Sequence, residues 1–436
     1  MILKASERGG AAQLGFHLLK AEENEHVEVH EVRGFVSGDV LGAMQEINAV
    51  AKGTRCSQFL FSVSLNPPPQ ENVHTDTFEG AINRIEERNN LAGQPRIIVF
   101  HEKEGRRHAH AVWSRIDAET MTARNLSHYK MKLQDISRGL YRDNGWDMPD
   151  GLRDKKLRDP RNFTLAEWQQ AKRAGHNAKD LKTVMQEAWN TSDSKKAFAR
   201  ALEDRGMFLA KGDKRGHVAV TYEGEALSIA RYTGKKAKEV RERLGKADDL
   251  RSVTETQAHI ADFMTPTVKK HLHDHHFKMH KEMSKLMIRR ETMAEANRYE
   301  RAKLEQAQQA RWSAETKARA ERMQHGMRGL WQKVTGKHAQ IQKQNEMETF
   351  FSYERDKKQS HDLRTAQMNE RRSLQTEIQA VRQDHTKGQT QLYKDLGSYH
   401  RMQERQATNL SERFNQAGRV NLKPKQDKGH ERSFDI

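Results

Sequence analysis

Apolar positions alternate with polar ones in short runs over the first 120 residues, recur at helical spacing between those runs, and thin out beyond about residue 250. HVEVHEVRGF (26–35) alternates like a strand. FLFSVSLNPPP (59–69) sets Phe59, Phe61, Val63 and Leu65 against Leu60, Ser62, Ser64 and Asn66 and stops at three prolines, which predicts a strand with one apolar and one open face. RIIVFH (96–101) reads as a short buried strand. RGGAAQLGFHLLK (8–20) predicts a helix opening after two glycines, and FVSGDVLGAMQEINAVAKG (35–53) predicts one that starts at a Ser37/Asp39 cap and ends at Gly53. TDTFEGAINRIEERNNLA (75–92) places Phe78, Ile82 and Ile85 on one helical stripe. Residues 1–150 are therefore expected to form an α/β domain, an antiparallel sheet with helices on one face and the other face open to a ligand.

Two further segments follow. After the proline-punctuated MPDGLRDKKLRDPRNF (148–163), residues 164–250 read as helices followed by two short strands around the turn GDKRG, a compact basic α+β module. From 251 to 436 Glu, Lys, Arg, Gln, Met and Ala dominate, and no proline falls between Pro266 and Pro424. Leucines are too sparse there for sustained heptads, so this segment is expected to be a charged tail of long solvated helices, loose coiled coil or partial disorder.

Composition narrows the function classes. Only 35% of the 436 residues are hydrophobic. The single cysteine, Cys56, excludes a disulfide framework and a cysteine-based zinc finger, and no apolar run suggests a membrane span or an export signal, so a bacterial cytosolic compartment is expected. The net charge of +17 is unevenly spread: residues 1–150 hold 18 Lys+Arg against 21 Asp+Glu, residues 151–250 hold 23 against 15, and residues 251–436 hold 36 against 24. Basic later segments point to a polyanion, most simply nucleic acid.

The chemistry is expected in HEKEGRRHAHAVW (101–113). If RIIVFH pairs with HAHAVWSRI as an antiparallel hairpin, His101 lies opposite His108, and His110, two residues on, shares their face, while Ala109, Ala111 and Trp113 turn to the helices. Three neutral imidazoles on one patch suit a single divalent metal with open coordination positions for water or a phosphate oxygen. Imidazole favours manganese, cobalt, nickel, copper or zinc over magnesium, and availability in the cell points to manganese or magnesium. The alternative is three surface histidines without a ligand, which would make a poor core strand. HLHDHH (271–276) is a second histidine cluster, on a polar helix where adventitious metal binding is the plainer reading.

With these residues in view, HEKEGRRHAHAVWSRID resembles the three-histidine motif of plasmid relaxases, mobilisation nucleases of the HUH endonuclease superfamily. The resemblance runs from about Arg8 to Trp146 and takes in the glycine-led helix, the FSVSLNPP strand and the helix that follows it. It implies an HUH-type sheet and site-specific nicking of one strand at an origin of transfer. The metal would be held by His101, His108 and His110, a side chain of the first helix would attack the phosphate, and the protein would remain joined to the 5′ end. It also implies single-stranded and origin DNA, relaxosome accessory proteins and a conjugative secretion channel as partners, with KPKQDKGHERSFDI (423–436) as a candidate recognition tail, and transfer with the DNA to a recipient cell.

The sequence departs from the family at two places. Residues 1–128 hold no tyrosine, and His17 stands where the family has its nucleophilic tyrosine, leaving His17, Tyr129, Tyr141 or no residue as the attacking group. Lys103 stands where family members often carry a carboxylate that orients a metal ligand, so Glu102 or Glu104 is the candidate replacement, or the role is lost. The resemblance also makes Ser62 and Ser64 candidates to donate hydrogen bonds to a DNA phosphate, and Arg106 and Arg107 on the turn are candidate DNA contacts. Two other classes stay open, a non-catalytic DNA-binding accessory protein derived from such a nuclease and a zinc hydrolase acting on another substrate.

Overall fold

In the computed structural model, residues 1–21, 24–173, 176–213, 216–263, 266–323 and 337–420 are described, with side chains up to residue 397. The expected strands β2 (His26–Arg33), β3 (Leu60–Asn66), β4 (Arg96–Lys103) and β5 (Arg106–Ser114) are joined by an edge strand, β1 (Ile2–Arg8). All neighbours are antiparallel, in the order β1-β3-β5-β4-β2. The sequence reading assigned no strand to residues 2–8, because Leu3 and Ala5 alone make a weak apolar face. The pairing of Lys4 with Ser64 and of Ser6 with Ser62 carries the segment into the sheet.

Alternation sends the two sets of β3, β4 and β5 side chains to two separate cores. Phe61, Val63, Ile98, Phe100, Ala111 and Trp113 pack on Phe78, Ile82 and Ile85 of α3 (Thr75–Arg88) and on Leu133, Ile136 and Leu140 of a helix Tyr129–Asp143. On the other face Leu60, Ile97, Val99 and Val112 pack on Leu14 and Leu18 of α1 (Ala11–Leu18) and on Met44 and Ile47 of α2 (Val40–Lys52). The antiparallel sheet and flanking helices match the expected class, but helices occupy both faces, because the apolar stripes of α1 and α2 also require cover. The ligand face is the stretch beyond Val99 and Val112 where the aliphatic residues give way to histidines. The Asp39 cap is present, its Oδ1 accepting from Gly42 N at 2.9 Å.

The chain divides into two compact units, Met1–Arg158 with Lys281–Val381, and Asp159–His280 with the chain from Arg382. In the second, helices Ala178–Asn190 and Lys195–Glu203 and the hairpin Met207–Gly212/Gly216–Thr221 enclose Met185, Trp189, Phe198 and Leu202. The long helices expected after residue 251 are Pro266–Arg322 and Lys337–Val420. Residues 423–436 lie outside the described residues. Among the described residues no helix is long and apolar enough to cross a membrane.

One polar tie crosses the first core. Trp113 Nε1 donates to Glu86 Oε1 at 2.7 Å, and Arg33 and Arg96 reach the same carboxylate at 2.6 and 3.0 Å. Trp113→Phe removes that donor to a charged acceptor and also shrinks a fully buried ring, so it should cost about 3 kcal/mol or more in urea unfolding, about 2 of it from the lost donor. A loss below about 0.5 kcal/mol would contradict both the packing of this ring and its bond to Glu86.

Candidate metal centre

The histidine hairpin is closed by two residues. Lys103 pairs with Arg106, and Glu104 and Gly105 between them have φ of +54° and +70°, the backbone of a tight turn that matches strand twist. This fixes His101 directly opposite His108, and His110 follows on the same face. The ring centroids stand 5.3 Å (101–108), 4.6 Å (101–110) and 5.1 Å (108–110) apart. One ring nitrogen from each comes within 4.8 Å of the others, so the three could hold one metal ion, and the donor set fits a transition metal. It is the one group of this kind among the described residues; His275 and His276 of the second cluster stand 4.5 and 5.2 Å from His385, without meeting that spacing.

The orientation of His101 comes from the backbone. Its Nε2 lies 2.7 Å from the Leu18 carbonyl. A carbonyl can only accept, so Nε2 carries the proton and Nδ1 keeps the lone pair. The last residue of α1 thereby does the job that Lys103 cannot do. Burial pushes His108 down to about 4 and His110 down to about 2, with the neighbouring imidazoles, Arg106 and Lys103 beside His108 and Arg8 beside His110 adding to the effect. Burial also lowers His101, against the bond to Leu18, which works the other way. The trio is therefore neutral at pH 7, the state in which imidazole binds metal.

His17, exposed on α1, joins this group, its ring edge-on to His110 at 6.1 Å between centroids. Ser64 lies opposite His110, and Ser62 lies opposite Val112, so both serines share the histidine face. Strand alternation places Lys103 and Arg106 on it as well. The residues that the sequence reading missed are Lys4, Ser6 and Arg8 of β1, paired with Ser64, Ser62 and Leu60 on the same face. The polar half of ILKASER was their only signal.

Five candidates do not join the site. Glu102 follows His101 and so projects from the opposite face, where it is buried and held by Arg301 at 2.8 and 2.9 Å. Arg107 projects there too. Buried, with its guanidinium 3.7 Å over the Phe100 ring and 3.1 Å from Glu28, it is not available to DNA. Burial pushes its guanidinium down to about 10, against the pull of Glu28 and Glu102. Glu104 sits in the turn and meets Arg106 at 3.4 Å. Tyr129 and Tyr141 belong to the helix on the far face, Tyr129 against Phe61 at 5.3 Å and Tyr141 buried beside Trp146 at 5.9 Å.

The fold and site together define an antiparallel sheet with three histidines that could hold one metal ion, and the comparison with known families narrows what such a site is for. Residues 17–146 match the family model described as relaxase, MobA/VirD2-like, nuclease domain, which supports the relaxase resemblance over that segment. No curated protein and no solved structure matches the chain. The family match points to a DNA-nicking endonuclease with DNA as its partner.

The depressed histidines set a pH dependence for the metal-free protein. Below about 6.5 the unfolded chain takes up protons that the folded trio refuses. Stability present above 6.5 is thus lost as pH falls toward 4, by at most about 1.4 kcal/mol per pH unit for each group. With a chelator present, His110→Ala should lose stability less steeply than the unsubstituted protein between pH 7 and 5. Parallel urea-midpoint curves would contradict the burial of this ring.

Proposed function

We propose that this protein nicks one strand of DNA at an origin of transfer by transesterification, with His17 as the nucleophile, and stays joined to the 5′ end. The observation that carries this reading is the placement of His17 at 6.1 Å from His110 while Tyr129 and Tyr141 lie across the sheet. A neutral imidazole nitrogen forms the bond to phosphorus as the phosphorus–O3′ bond breaks. The 3′ oxygen leaves and takes up a proton, and the imidazole gives up its own. A metal held by His101, His108 and His110, manganese or magnesium in the cell, would supply Lewis-acid polarisation of the scissile phosphate. Leu18 keeps His101 in one tautomer, Ser62 and Ser64 offer hydroxyl donors, and Lys4, Arg8, Lys103 and Arg106 offer positive charge to the phosphodiester backbone.

The basic segment 151–250 then adds affinity for origin DNA, and accessory proteins and a conjugative secretion channel complete the proposed partners, with the reaction beginning in the cytoplasm of a donor bacterium. The reading as an accessory protein without nuclease activity is the outcome to be distinguished.

The test is capture of a labelled single strand in the presence of Mn²⁺. The expected adduct is acid-labile, stable to alkali and mapped to residues 11–18. Its absence in His17→Ala, with Mn²⁺ binding intact, would complete the assignment. An acid-stable adduct on Tyr129 or Tyr141, or an undiminished adduct in His17→Ala, would refute it, and no adduct at all would favour the accessory protein. Alanine at His101, His108 or His110 should remove both Mn²⁺ binding and nicking, and a variant that nicks at full rate would sink the metal assignment.

Salt dependence separates the arginines on the histidine face from the one on the reverse face. Arg8→Gln and Arg106→Gln should each reduce the slope of log affinity against log salt by about 0.7 for single strands. Arg107→Gln should leave the slope unchanged and lower stability instead. A slope change at Arg107 would mean that it leaves its buried pocket on DNA binding.

A further inference from the structure

Three arginines from the long helices converge on the tip of the histidine hairpin. Arg301 grips Glu102, the neighbour of His101, with both Nη atoms, and its Nε donates to Gln367 Oε1 at 2.6 Å. Arg371 Nε donates to Glu25 Oε2 at 3.1 Å. The other oxygen of Glu25 accepts the backbone N–H of Glu104 in the turn at 3.0 Å, and the Glu25 N–H donates to the Glu102 carbonyl at 2.8 Å. Arg372 Nε donates to the Gly105 carbonyl at 3.1 Å, and its Nη2 reaches the Glu71 carbonyl and Asn72 Oδ1 at 3.2 and 2.7 Å. Glu102, Glu104 and Gly105 are thus tied, directly or through Glu25, to residues 301–372.

Gly105 shows how close the approach is. A Cβ there would lie 2.7 Å from Arg372 Cγ and 2.9 Å from its backbone nitrogen, so the position requires glycine for space as well as for its φ of +70°.

We infer that Arg301, Arg371 and Arg372 are positioning residues for the metal centre, and that residues 281–381 complete the nuclease unit. A hairpin end with no further cover frays in water, and His101 and His108 sit only three residues from the turn on either side. Their separation, on which simultaneous ligation depends, is therefore set by how firmly the tip is held. The arginines act through the backbone, on the side of the sheet that the metal does not touch. This goes beyond the matched segment, which ends at residue 146.

The experiment is titration of the full chain with Mn²⁺, following the electron paramagnetic resonance signal of the free ion. Binding lost in His110→Ala defines the share of the trio. Arg301→Ala and Arg372→Ala should each weaken that share by about 10- to 100-fold, the range for residues that orient metal ligands. Arg301→Lys should recover part of the loss. Arg372→Ala leaves only backbone carbonyls and an amide unpaired, so it serves if the buried Glu102 left by Arg301→Ala prevents folding. Lys357→Ala, which breaks the contact with Asp76 at the start of α3, is the control and should bind Mn²⁺ as the unsubstituted chain does. Unchanged affinity in Arg372→Ala, or equal weakening in Lys357→Ala, would overturn the inference, the second by showing that any loosening of the helices suffices. Because the readout is ion binding, a failure of His17 as nucleophile leaves this result intact.

Discussion

The register of β4 against β5 is the constraint on which the rest of the site depends. With Lys103 opposite Arg106, three imidazoles fall on one face and Phe100, Ala109 and Ala111 on the other. A slip of β5 by one residue against β4 would turn His108 and His110 into the aromatic core, away from His101, and bring Ala109 and Ala111 into the metal position. The two-residue turn, the Glu102 anchor and the bond from His101 to Leu18 each oppose that slip from a different side. Metal chemistry in this chain is thus a property of strand pairing before it is a property of histidine.

Charge is sorted by the same alternation. On the histidine face the hairpin carries Lys103 and Arg106 beside imidazoles kept neutral by burial, an environment suited to an anion. On the reverse face it carries Glu102 and Arg107, both buried, Glu102 held by Arg301 and Arg107 by Glu28 and Thr75, with the Nε of Arg107 left without a hydrogen-bond partner among the described residues. Burial alone would raise the Glu28 carboxyl, but Arg107 and Arg364 hold it below its ordinary value, so Glu28 remains a charged partner for Arg107. One pair of strands therefore offers a basic surface on one side and an internal ion-pair network on the other without mixing the two.

Much of this was legible in the sequence. The hairpin, its common histidine face and the caps of α2 follow from period-two and helical spacing, because those patterns are local. The same alternation puts Glu102 and Arg107 on the face away from the histidines, since each adjoins a histidine. Strand β1 was not legible, because an edge strand with only Leu3 and Ala5 against the core carries too little apolar signal. Nor was the bond between Arg301 and Glu102, whose partners lie 199 residues apart. In a segment with 36 basic residues, composition cannot single out the three that matter.

Leu18, whose carbonyl holds His101, is the next residue after His17 on α1. Ligand geometry and the proposed attacking group are thereby mounted on a single rigid turn of helix, and neither can be retuned alone. A bulkier ring at position 17 that pushed α1 outward would draw the Leu18 carbonyl away from His101 and free its tautomer. A displacement of α1 is felt in two places at once, at His101 through the Leu18 carbonyl and in the packing of Leu14 and Leu18 on α2, so the metal centre and this part of the hydrophobic core answer to the same helix.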